Sequence, residues 1–388
     1  MKICFLVAKD ILRGGGIEKY TREVGRRLVA RGHVVQVYST RGADSGPAEW
    51  EGMHILWLPR MQPYWAEKIA GALSSTLLAM PPSPRPDLFH LHSVAAGGMA
   101  PLLRMRGTPC LLQMHGIEWQ RSRWGMLARK ALNALEKISF AGADEVTAVS
   151  RAQCRFYEER YGRPVHFIPT GTELRDSNSH PNFTHQGIMS GRYFFTAVRL
   201  VREKGVHYLI PAFRRIPGSH PAARWSLVIA GAAVDPAYHR ELLDLAGGDP
   251  RIIFLGHVEE PHLGSLYSNA GVYVQASELE GMAISLLDAM GSARCCIVSD
   301  IVENVDVLGD AGFIFPSKSI DGLRRCMEES SATPEAIRRF GDDARRRVAE
   351  NFSWDSVTLR LEELYKQTIE WQNLSRQIRK NSIKEISA

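Results

Sequence analysis

Residues 277–299 read SELEGMAISLLDAMGSARCCIVS. The segment opens as a tight polar turn at Glu278 to Gly281, runs into a helical stretch rich in Ala, Leu and Met, and closes in an apolar strand, Cys295 to Ser299. That is half of a βαβ unit whose helix begins at the carboxyl edge of a sheet. Two carboxylates eight positions apart, Glu280 before the helix and Asp288 inside it, frame the helix N-terminus. The first N–H groups of a helix have no intrahelical acceptor, so the backbone at Met282, Ala283 and Ile284, with the positive end of the helix dipole, makes an anion site beginning at Gly281. Acids beside an anion site suit a ligand that carries both phosphate and hydroxyls, as a nucleotide sugar does.

Working outward, 388 residues suffice for two domains, and 45% hydrophobic with 23% charged residues is a globular composition. The six cysteines are scattered through apolar runs without metal-ligand spacing, which predicts reduced core residues and a cytoplasmic setting. The chain starts directly with a strand, KICFLVA, and not with a signal-peptide pattern, and no apolar run reaches the roughly 18 residues of a membrane span. A net charge of +6 favours anionic partners: lipid head groups, nucleic acid or phosphorylated substrates. With no zinc-finger or RNA-recognition signature, a nucleic-acid partner is not expected.

Both halves alternate apolar runs with helical periodicity. Strands are expected at Ile3–Val7, Val34–Tyr38, near Ile55, Leu88, Leu111 and Val146, and at His166–Ile168, then again at Tyr193–Val198, Trp225–Ala230, Ile252–Leu255, Val272–Gln275, Cys295–Ser299 and Gly312–Phe315. Strands separated by helices predict an α/β protein with two doubly wound parallel sheets. The first helix carries Ile17, Tyr20, Val24 and Leu28 as its core stripe. Before it, Gly14, Gly15 and Gly16 would let the backbone approach a ligand, although a Gly-rich turn is also simply a turn. The G-x-G-x-x-G spacing is absent, against a nicotinamide-binding fold. His92 and His115 end two strands, where a histidine is either a rim residue or part of a site. The region 117–140 mixes Trp119 and Trp124 with Arg121, Arg123, Arg129, Lys130 and Lys137, a pattern that fits either a solvated face or peripheral contact with anionic membrane. Polar residues at 173–191 form the linker, dividing an N-terminal domain, 1–172, from a C-terminal domain, 192–353. A long amphipathic helix begins at Trp354 and leads into a polar tail.

These residues carry a resemblance. Glu280 to Met290 resembles the E-x7-E signature of retaining glycosyltransferases of family 4 (GT4), with Asp288 where the second Glu is usual. Val198-Arg199-Leu200-Val201-Arg202-Glu203-Lys204-Gly205 resembles that family's G-R-L-x-x-x-K-G element, with Val198 where Gly or a similar small residue is common, and Pro169-Thr170-Gly171 its P-N-G turn, with Thr170 for Asn. The resemblance runs along nearly the whole chain and implies the GT-B architecture: two Rossmann-like domains facing across a cleft, with the last helix, 354–388, crossing back to the first. It implies a nucleoside-diphosphate sugar as donor and a saccharide or glycoconjugate hydroxyl as acceptor. Glu280 would touch the sugar and Asp288 the ribose, while Arg199, Lys204, Gly14 to Gly16 and the helix end meet the diphosphate and His115 contacts the sugar. Acceptor recognition is assigned to loops at 41–50 and 61–65. Without a D-x-D pair at a strand end, neither a metal nor a cofactor is expected. A nucleotide-sugar epimerase built on the same shell and a non-catalytic nucleotide-sugar-binding subunit remain the alternatives.

Overall fold

The computed structural model describes residues 1–6, 10–12, 15–41, 46–59, 85–120, 124–175 and 188–386. Two compact units result: Met1–Thr170 together with Trp354–Ala388, and Gly171–Ser353. In the first unit the strands are β1 (Lys2–Leu6), β2 (Val34–Arg41), β3 (Glu49–Trp50), β4 (Met53–Pro59), β5 (Leu88–His92), β6 (Cys110–Met114), β7 (Glu145–Ala148) and β8 (His166–Phe167). They lie in the order β3-β4-β2-β1-β5-β6-β7-β8. All pairings are parallel except β3 with β4, a hairpin whose turn uses Glu51 and Gly52 at positive φ. The second unit holds β9 (Tyr193–Ala197), β10 (Ser226–Ala230), β11 (Ile252–Gly256), β12 (Val272–Gln275), β13 (Cys295–Ser299) and β14 (Gly312–Phe315), all parallel, in the order β11-β10-β9-β12-β13-β14. Leaving out β3, both sheets follow the doubly wound 3-2-1-4-5-6 pattern, the first with an added strand, β8.

The local causes are plain in the sequence. The central strands are nearly continuous apolar runs, as strands covered on both faces must be, and Phe5, Leu111, Phe194 and Val274 are fully buried. Helices begin where a polar cap meets the backbone: Ser150 accepts from the Gln153 N–H, and Asp235, ahead of Pro236, accepts from Ala237 and Tyr238. The first helix, Gly16–Ala30, buries Tyr20, Thr21, Val24 and Leu28, whereas Ile17 at its first turn is only half-buried.

The last helix runs from Trp354 to Ile386, so the polar tail expected at the terminus continues as helix. Its Trp354, Val357, Leu361, Leu364 and Tyr365 join Ile3, Phe5, Tyr20, Val24 and Val35 in one cluster of the first unit. Full burial of each such side chain is worth roughly 1.5–3 kcal/mol, against at most about 1 kcal/mol for a surface ion pair. Apolar packing therefore fixes the helix, and polar contacts set its register. Tyr365 hydroxyl lies 2.5 Å from His90 Nδ1, and Glu362 meets Arg31, His33 Nε2 at 3.1 Å and Lys366 Nζ at 2.9 Å. Among the described residues no helix is long and apolar enough to cross a membrane. The six cysteines are unpaired, five of them buried.

Glu362 gives this packing a pH signature. Burial works against its charge, but hydrogen bonds from Lys366, Arg31 and His33 hold its carboxyl at about 2, below the ordinary 4.5. A depressed carboxyl contributes stability that is complete above its unfolded value and is lost as the pH falls through the folded one. Acid titration of the urea midpoint of the first unit should fall between pH ~4.5 and ~2, and Glu362→Gln should flatten that slope. An unchanged slope in the variant would remove Glu362 from the account.

Candidate active site

A doubly wound sheet leaves a crevice where its winding reverses, at the carboxyl ends of the two strands flanking that point. In the second unit these strands are β9 and β12. After β9 the chain forms a 3-10 turn, Arg202–Lys204, closed by Gly205 at φ 68. A Cβ on Gly205 would stand 1.9 Å from the Ala276 carbonyl oxygen, so only glycine lets this turn lie against the chain leaving β12. The Glu278 N–H then donates to the Glu203 carbonyl at 2.9 Å, clamping the two loops.

That clamp delivers Lys204 to Glu280. Nζ lies 2.6 Å from Oε1, with the side chains only 14% and 7% exposed. Gln275 Nε2 and Ser277 Oγ each donate to the same oxygen at 2.7 Å. Gln275 is held in turn by Tyr273 hydroxyl at 2.7 Å and Ser285 Oγ at 3.3 Å. Ser299 Oγ donates to the Ser277 carbonyl and accepts from Asn304. With Oε1 saturated, the orientation of Glu280 is fixed and Oε2 is its remaining acceptor face. The neighbouring acid, Glu278, turns elsewhere, toward Tyr208 and Lys318.

The signature helix, Ile284–Gly291, starts after Ala283 with no side-chain cap and no acid in its first turn. Gly281 and Met282 lead into it, half-buried. Arg199 is exposed and forms no ion pair among the described residues. Asp288 sits inside the unit, 4% exposed, where Oδ1 accepts from Thr172 Oγ1 at 2.5 Å. The shorter acid is thus engaged by a residue 116 positions earlier, and Arg175 adds a nearby charge. Glu303 is half-buried, and burial, reinforced by repulsion from Glu280 and Asp306, raises its pKa.

In the first unit the reversal lies at β1 and β5. Gly15 and Gly16 are exposed at the first helix, and Gly14 falls outside the described residues. The Glu18 carboxylate folds back over Gly15, so close that a Cβ there would meet it at 1.9 Å. This helix end, unlike the signature helix, has an acid of its own against it. At the ends of β5 and β6 stand His92 and His115, with His92 Nδ1 2.9 Å from His115 Nε2. The segment 117–140 is a 3-10 turn, Glu118–Gln120, and a helix, Met126–Gly142, with Arg121 and Arg123 outside the described residues. Trp119 turns inward, its Nε1 donating to the buried Glu136 at 3.2 Å. The loop 61–65 and part of 41–50 also lie outside the described residues. Among those described, no group of three or more His, Cys, Asp or Glu side chains is placed to hold a metal ion.

Sequence reasoning singled out Glu280, Lys204 and Arg199 but missed Gln275, Ser277, Ser285 and Thr172. The one local signal was a Gln at the end of an otherwise apolar strand, β12. Comparison with known proteins places the chain as a whole. Residues 14–176 match the model of Glycosyltransferase Family 4 and residues 183–347 that of Glycosyl transferases group 1. Glycogen synthase of Mycobacterium tuberculosis is 24% identical over 383 residues, spanning 90% of this chain and 91% of that protein. Mannosylfructose-phosphate synthase of Agrobacterium fabrum is 23% identical, spanning 74% and 71%. Among solved structures, sucrose-phosphate synthase from Thermosynechococcus elongatus superimposes with a TM-score of 0.78 at 20% identity, over 94% of this chain and 98% of that one. HepE from Anabaena, solved in complex with UDP-glucose, gives 0.75 at 16% identity, over 95% and 100%. With a family model matched along each half, this chain belongs to the family 4, group 1 glycosyltransferases and is an enzyme of the GT-B fold.

Proposed function

We propose that the enzyme moves a sugar, with retention of configuration, from a nucleoside diphosphate to a hydroxyl of a saccharide or glycoconjugate, without metal or cofactor. The observation that carries this reading is the Lys204–Glu280 pair beside the uncapped end of the signature helix. Glu280 Oε2 accepts from a sugar hydroxyl, while Arg199, the remaining ammonium donors of Lys204 and the N–H groups of Ala283 and Ile284 at the helix start meet the diphosphate. As the bond from the anomeric carbon to the phosphate oxygen breaks, charge grows on the diphosphate, and donors already aimed there lower the barrier. The acceptor oxygen forms its bond on the same face and its proton passes to the departing phosphate. Asp288 serves the nucleoside end through its tie to Thr172, and His115 is the first unit's sugar-directed group. Donor specificity follows from a thermal-shift screen of UDP, GDP, dTDP and ADP.

Lys204→Ala and Arg199→Ala should each lower turnover by about 10²–10³, the scale of removing one donor to a developing oxyanion. EDTA should leave the rate unchanged, and proton NMR of the glycoside should show the donor's anomeric configuration. Near-normal turnover in both variants, or an inverted product, would end this reading; an epimer formed from donor alone would favour the epimerase.

A second reading, contact with an anionic membrane through 117–140, is favoured by an exposed strip. Leu127 is 82% exposed, Met126 74% and Ile138 47%, with Arg129, Lys130 and Lys137 exposed alongside. Apolar residues flanked by cations suit an interfacial helix. Each cation near such a surface contributes about 1 kcal/mol, so changing Arg129, Lys130 and Lys137 together to Glu should weaken binding to phosphatidylglycerol vesicles by roughly a hundredfold or more. Equal cosedimentation of variant and parent would dismiss the contact.

A further inference from the structure

His92 is 4% exposed at the end of β5, and Ser93 after it takes φ 63, a left-handed conformation uncommon outside glycine. The strand therefore turns sharply at the imidazole and holds it. Phe5 stacks on its ring at 5.8 Å and Tyr20 meets the edge at 5.7 Å, so apolar faces exclude water. Burial, with the neighbouring His90 and His115 adding to it, holds the His92 pKa well below the usual histidine value, and the ring is neutral.

Its protons can then be placed by counting. Thr21 Oγ1 lies 2.9 Å from the Ile17 carbonyl oxygen and 3.0 Å from His92 Nε2. The carbonyl has no hydrogen to give, so the single Thr21 hydroxyl hydrogen goes to Ile17, the usual back-bond of a helical threonine. His92 Nε2 must therefore be the donor to Thr21. A neutral imidazole carries one N–H, so His92 Nδ1 is a lone pair. The 2.9 Å contact from Nδ1 to His115 Nε2 consequently takes its hydrogen from His115.

We propose that His92 is a positioning residue: seated on the Thr21 hydroxyl, it holds His115 as the tautomer protonated at Nε2. His115 thereby meets its sugar-directed role with Nε2 committed to His92 and its ring orientation fixed. This rests on the reading of His115 as a sugar-directed group. Strand β5 thereby sets, through one ring, the chemistry presented by strand β6.

The tautomer can be read without any ligand, from long-range proton–nitrogen correlations of the whole protein labelled with 15N-histidine and assigned with the variants below. Both His92 and His115 should show the pattern of a protonated Nε2; a His115 protonated at Nδ1 would overturn the proposal. Thr21→Val should give a mixture at His115 and Thr21→Ser should not. With UDP-, GDP-, dTDP- and ADP-glucose as probes, His92→Phe should lower kcat roughly 10–100-fold, the scale for removing the partner that orients an imidazole. KM for the donor should move by no more than about threefold. His92→Asn, whose amide oxygen replaces Nδ1, should recover most of the rate. If His115→Ala is slow while folded His92→Phe is not, His92 has no positioning role. If His115→Ala turns over normally, the sugar-directed role of His115 fails instead, and the spectrum alone decides the tautomer.

Discussion

Parallel strands can be joined only by crossovers, and those crossovers are right-handed. A sheet that begins at an interior strand must therefore reverse its direction of winding beside that strand, and the loops leaving its two sides part. In this enzyme the reversal falls at β1/β5 in one sheet and β9/β12 in the other, and the chemistry-bearing residues follow it. Lys204 leaves β9 and Glu280 leaves β12, 76 residues apart yet in contact. His92 ends β5, and His115 follows the adjoining β6.

What distinguishes the two crevices is how their backbone and charges are satisfied internally. In the C-terminal unit an acid and an ammonium neutralise one another in a nearly enclosed place, where losing either would strand the other's charge. Three donors on one carboxylate oxygen leave a single orientation, and the helix end beside it keeps its dipole uncompensated by any acid in its first turn. In the N-terminal unit the corresponding helix end is closed over by Glu18, and a buried histidine, His92, meets the half-buried His115 at the neighbouring strand ends. The same topology thus sets an ion pair beside a helix end in one unit and two histidines in contact in the other.

The strands were legible because buried parallel strands are written as apolar runs, and Cys295–Ser299 or Val272–Gln275 cannot be read otherwise. The ion pair was half legible: Glu280 and Lys204 each stand in a recognisable local pattern, but nothing in either pattern says that they touch. Thr172 on Asp288 and Thr21 on His92 were invisible for the same reason, since a hydrogen bond across 116 or 71 residues leaves no trace in local spacing. The hairpin strand β3 was missed because two residues are too few to show a period. Glu18 could have been anticipated, for an acid three positions after the residue that caps a helix, here Gly15, commonly folds back on its first turn.

The C-terminal helix completes the core around Ile3, Phe5 and Tyr20, which binds the last part of the chain to the first. During synthesis the ribosome makes Trp354 long after Thr170; at about 5–20 residues per second the interval is roughly 10–40 s. The domain translated first is therefore the one completed last, since part of its apolar core arrives only with Trp354 and the residues after it.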